Sequence, residues 1–161
     1  MLEIVTMGRE VLTRTAEPVK DMDDKIRLLA REMLETMRIG KGIGLAAPQV
    51  DRGIRLFVTE VDGLPRVFIN PEILLTSQEL ADLEEGCLSI PGIYAKLKRP
   101  EKVRIQAWNE RGRPFNLDAE GLEARVILHE LDHLNGVLFV DRLSEPVRKR
   151  ALAQYERRIR M

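Results

Sequence analysis

The chain has 161 residues, 44% hydrophobic and 32% charged, a size and composition that fit one folded domain and exclude disorder as its main state. Its 26 Lys and Arg balance 26 Asp and Glu, so the general basic field of a dedicated nucleic-acid binder is absent. No apolar run approaches the roughly 18 residues that span a bilayer, and MLEIVTMGREVLTR at the start lacks the apolar core and cleavage site of a signal segment; a cytoplasmic protein without membrane association is expected.

Residues 21–38 place Ile26, Leu29, Ala30, Met33 and Met37 at spacings of three and four behind an acidic start, which predicts an amphipathic helix. Residues 40–49 carry three glycines and a proline, so a loop or irregular strand follows. Ile54, Leu56 and Val58 alternate with Arg55, Phe57 and Thr59, and Val103, Ile105 and Ala107 alternate with Arg104, Gln106 and Trp108, the period of two of strands. Shorter strands are predicted at 67–70, 73–76 and 115–117, the last after a turn at 109–112. Residues 122–134 are apolar round most of a helical circumference before Gly136, which predicts a central, buried helix. A last helix begins near Ser144-Glu145-Pro146, with Val147, Ala151, Tyr155 and Ile159 on one stripe. The class is α+β: antiparallel strands packed around a central helix, with helices at both ends, all in one domain over 1–161.

The only two histidines, His129 and His133, lie four apart inside the central helix in His129-Glu130-Leu131-Asp132-His133. At that spacing both imidazoles project from one face, one turn apart, and can grip one metal ion. The face continues through Leu122 and Val126, which predicts an apolar setting for the ion. Glu130 points about 100 degrees round the helix, out of the ligand set but within reach of a water, as a general base requires. A catalytic metal needs a third protein ligand, and the single cysteine, Cys87 in Glu85-Gly86-Cys87-Leu88-Ser89, is the remaining soft donor.

Three segments in order, Gly42-Ile43-Gly44-Leu45-Ala46-Ala47-Pro48-Gln49, Glu85-Gly86-Cys87-Leu88-Ser89 and His129-Glu130-Leu131-Asp132-His133, resemble the three signature motifs of the peptide deformylases, and the similarity spans essentially the whole chain. The resemblance implies a metal-dependent hydrolase that removes the formyl group from the N-terminal formyl-methionine of newly made polypeptides and releases formate. It implies Cys87, His129 and His133 as metal ligands and Glu130 as general acid and base. Gln49 and the backbone N–H of Leu88 would stabilise the oxyanion, and Gly44 would contact the substrate backbone. The position before His129, often Gln in that family, is Leu128 here. Ile43, Ile93, Leu122 and Val126 are expected walls for the methionine side chain.

A thiolate with two imidazoles suits Zn(II) and Fe(II) alike. The resemblance implies Fe(II), with Zn(II), Ni(II) or Co(II) as substitutes. A zinc peptidase shares the helix motif but needs a His or Glu ligand after it. A copper electron-transfer site uses the same donor types but not a His pair on a helix beside a glutamate. A metal-stabilised binding module of the translation apparatus is the non-enzymatic alternative. Its support is the tail, where residues 146–161 hold Arg148, Lys149, Arg150, Arg157, Arg158 and Arg160 against Glu156 alone. In the resembling family such a helix can dock on the ribosome near the tunnel exit. Every expected catalytic residue lies at or before His133, so deletion of residues 147–161 is expected to abolish ribosome binding while activity on a short formylated peptide survives better, with some loss through destabilisation.

Overall fold

The computed structural model describes residues 2–160. Helix α1 (Asp24–Ile39) starts where the Asp23 carboxylate accepts the Ile26 N–H at 3.1 Å, satisfying one of the free amides of the first turn. Its Ala30, Met33 and Met37 are buried at helical spacing. Lys41, at φ 61, turns the chain into the short strand β1 (Gly44–Ala46), and a single 3-10 turn, Ala47–Val50, follows it.

Strands β2 (Leu56–Val61), β3 (Leu64–Thr76), β6 (Lys102–Trp108) and β7 (Pro114–Glu120) join β1 in an antiparallel sheet of order β1-β2-β3-β6-β7. Helix α2 (Gly121–Leu134) packs on one face of this sheet and α1 on the other. That sandwich explains a departure from the expected alternation in β2. Phe57 faces the α2 layer, Leu56 and Val58 face the α1 layer, and all three are buried, as is Thr59. Phe57 and Phe68 stack with centroids 4.6 Å apart beneath α2, each contributing on the order of 2 kcal/mol through burial.

The strands expected at 67–70 and 73–76 are one strand, β3. Asn70 there takes φ 50, Pro71 has no N–H to donate, and the register against β6 slips between Ile69 and Glu72. A second sheet was not among the expected strands: the antiparallel hairpin of β4 (Leu80–Cys87) and β5 (Ile90–Pro100). Helix α3 (Glu145–Ile159) lays Ala151 and Tyr155 on this hairpin, in a third apolar cluster with Ile90, Ile93, Leu138 and Phe139. The last residue of the expected stripe, Ile159, is exposed instead. The α+β class holds, with α2 between the two sheets. No described helix is long and apolar enough to cross a membrane.

Candidate active site

Helix α2 presents a mixed face to the site, with Val126 and Leu122 beside charged and polar side chains. Its buried positions include Arg125, His129, Glu130, Asp132 and His133, while Leu122 is 49% exposed. The hairpin carries Cys87 to this face. Gly86 stands opposite Tyr94 in the ladder, and the exposed Tyr94 ring lies over the space that a Cβ at Gly86 would fill. The register then slips, Cys87 faces Ile90, and the chain reverses through Leu88 and Ser89.

Cys87 Sγ lies 3.4 Å from His133 Nε2, and the donor atoms of Cys87, His129 and His133 all fall within 4.8 Å of one another. His129 Nδ1 meets Glu85 Oε1 at 2.8 Å, which orients the ring and turns its other nitrogen to the site, the usual support of a metal-bound imidazole. The buried Nδ1 of His133 has no such partner. One soft sulfur and two imidazoles, clustered and largely buried, fit a divalent transition metal with an open fourth position.

Around these donors runs a buried ionic network. The Glu85 carboxylate also accepts from Arg99, Nε at 2.6 Å and Nη2 at 3.0 Å, and from Arg125 Nη1. Asp132 accepts from Arg99 Nη1 at 3.0 Å and from Arg142 Nε at 2.6 Å. Burial would raise Glu85, but the hydrogen bonds from His129 and Arg99 outweigh it and hold the carboxyl at about 2. Burial lowers both histidines when no metal is bound. In His129 the Cys87 contact and the Glu130 charge outweigh burial and raise it well above its ordinary value. The charge on His129 then lowers His133 further. A cation bound between the two rings would take the place of that positive charge.

Glu130 is buried beside the donors, and its Oε1 has no hydrogen-bond partner. Burial, reinforced by Glu85 and Asp132 against the opposing pull of His129 and Arg99, pushes its carboxyl up to about 7. A group with that value can take and return a proton near neutrality. Gly44 of β1 lies against it, and a Cβ there would come within 2.5 Å of Glu130 Oε2 and 2.8 Å of Val126. Gln49 is buried, with Oε1 accepting the Ala46 N–H at 2.9 Å. That leaves its Nε2 3.1 Å from Ser89 Oγ and 3.5 Å from Cys87 Sγ.

Gln49, Cys87, His129 and Glu130 line a cavity of about 600 Å³. Leu88 lies on its wall, against Gly42, and Ile43, Leu122 and Val126 also line it. Ile93 does not; it is buried under α3. A larger cleft of about 830 Å³ lies beyond Leu122, but it contains no cysteine or histidine, and its cations Arg66, Lys102 and Arg104 are paired with Glu123, Glu120 and Asp118. Glu85, Arg99, Arg125 and Asp132 have no role in the set of residues expected from sequence. Two signals were available: Glu85 is two residues from Cys87 on a strand, and Arg125 is four from His129 on a helix.

An α+β fold that gathers one thiol and two imidazoles beside a buried, readily protonated carboxylate defines a metal-dependent hydrolase. The polypeptide deformylase family model matches residues 1–149. Peptide deformylase of Treponema pallidum is 46% identical over 154 residues, 96% of this chain and 95% of that protein. The Acinetobacter baumannii enzyme is 47% identical over 163 residues, 99% of this chain and 93% of that one. The peptide deformylase structure from Legionella pneumophila superposes with a TM-score of 0.95 at 39% identity, covering 99% of this chain and 96% of that one. The one from Synechococcus elongatus, solved in complex with actinonin, gives 0.92 at 46% identity, covering 96% and 86%. The chain belongs to the peptide deformylase family. Its activity is the hydrolytic removal of the N-formyl group from newly synthesised polypeptides.

Proposed function

We propose that residues 1–161 act as one catalytic domain in which Cys87, His129 and His133 hold a single divalent metal ion, Fe(II) in the cell. The observation that carries this reading is the meeting of those three donors within 4.8 Å beside Glu130 and Gln49. A divalent ion held there supplies Lewis-acid chemistry, lowering the pKa of a water towards neutrality. Glu130 takes the proton of the attacking water and later delivers it to the leaving amine. The Gln49 amide and the Leu88 N–H donate to the oxygen that becomes negative as the formyl carbon turns tetrahedral, contacts worth about 3 kcal/mol each.

The formylated methionine enters over Gly44, whose missing side chain lets the substrate backbone approach, and its side chain packs on Ile43, Leu122 and Val126. Zn(II), Ni(II) and Co(II) suit the same donors, and the reducing cytoplasm in which this protein works protects Fe(II) and its thiolate. The cations of α3 serve as a ribosome contact near the tunnel exit, where the substrate emerges. The deciding experiment is formate release from formyl-Met-Ala-Ser by protein prepared without oxygen, with metal analysis of the same sample. Turnover with one metal per chain is expected; turnover from metal-free protein would overturn the reading.

A further inference from the structure

The C-terminal end of α3 reaches the rim of the catalytic cavity. Tyr155, buried against the β4–β5 hairpin, fixes the helix there, and three residues later Arg158 lies over Gly92 of β5. Gly92 lines the cavity and has a φ of +81. A Cβ at Gly92 would overlap the guanidinium, with Nη2 only 2.6 Å away. The guanidinium therefore rests on the backbone of the rim, in space that any other residue would fill.

Arg158 has no carboxylate partner among the described residues, whereas Arg148 pairs with Asp141 and Arg160 with Glu156. Around the same cavity Arg125 is neutralised by Glu85, and the exposed Glu84 stands opposite Lys96 across the hairpin. Lys41 lines the cavity and Arg158 borders it at Gly92, neither with an acid partner among the described residues. A substrate that continues for many residues must leave through the cavity's opening, at about 3.3 Å per extended residue, and its side chains pass the rim.

We propose that Arg158 is a specificity residue that favours formylated chains bearing an acidic side chain a few residues after the methionine. This rests on the cavity being the peptide site. The test uses metal-loaded enzyme and C-terminally amidated formyl-Met peptides, so that no terminal carboxylate competes. Asp, Asn or Lys is placed at the third, fourth or fifth residue, and kcat/KM for formate release is measured at low and high salt. Asp should exceed Asn by about threefold at one of these positions, an exposed charge pair being no stronger, and the preference should fade with salt. Arg158→Ala should remove the preference and Arg158→Glu should reverse it in favour of Lys. Turnover of the Asn peptides and thermal unfolding should stay unchanged, and the neighbouring Arg157→Ala should behave as wild type. Equal Asp, Asn and Lys ratios in wild type and Arg158→Glu at all three positions would overturn the proposal while leaving the deformylase reading intact. No formate from any peptide would overturn both.

Discussion

Glu130 and Cys87 are adjacent in space but differ in the part each plays, and substitution separates them. Glu130→Gln keeps the volume and removes the proton shuttle, so metal content should be unchanged while turnover falls by at least ~10²-fold. Metal analysis and formate release on one preparation check both halves; loss of metal from that variant would make Glu130 a ligand. Cys87, if it binds the ion as a thiolate, should resist alkylation until a chelator is added. Equal rates of mass-detected labelling with and without chelator would move Cys87 out of the ligand set. Leu128 packs on the α2 side of the sheet core, away from the cavity.

Between the hairpin and α2 the contacts are ionic rather than apolar, and this decides both a pH dependence and what could be read from sequence. Glu85 is held at about 2 against an ordinary 4.5, so between those values the unfolded chain binds a proton that the folded chain does not. Its contribution to stability is complete above about pH 4.5 and is lost as pH falls towards 2. Glu85→Gln should lower stability at pH 7 and flatten the acid limb of a stability profile followed by denaturant unfolding; an unchanged limb would show that Glu85 does not control it. The same ion pairs hid β4 from the periodicity. In β4 the inward Glu85 is charged while Leu80 and Leu83 point to solvent, so the hydrophobic alternation that marks a strand is reversed there; in β5 inward Ile93, Ala95 and Leu97 do alternate with Tyr94, Lys96 and Lys98 before the charged Arg99. Where the buried side chains are apolar, as at Val103, Ile105 and Ala107, the strand was legible. The histidine pair was legible because helical spacing alone puts both rings on one face. Its meeting with Cys87 depends on a hairpin that only the motif resemblance could anticipate.

At the scale of the molecule, charge balance conceals an asymmetry, because the tail gathers cations on a helix whose other side is part of the core. The matched family model ends at residue 149, yet Ala151 and Tyr155 complete the apolar cluster around Ile90 and Ile93, next to the turn that carries Cys87. Removing residues 147–161 therefore strips a support of the site. The destabilisation expected of this deletion is then about 3 kcal/mol or more, as for other large buried side chains. Charge has to be tested without that loss. Lys149, Arg150 and Arg157 are exposed and have no carboxylate partner among the described residues, so replacing all three with Ala should leave thermal unfolding and turnover of a short formylated peptide unchanged. Cosedimentation with ribosomes should weaken, and its salt dependence should become shallower because fewer counterions are released from phosphate. Wild-type binding by the triple variant at every salt concentration would leave these cations as solvated surface and assign any ribosome contact to another face.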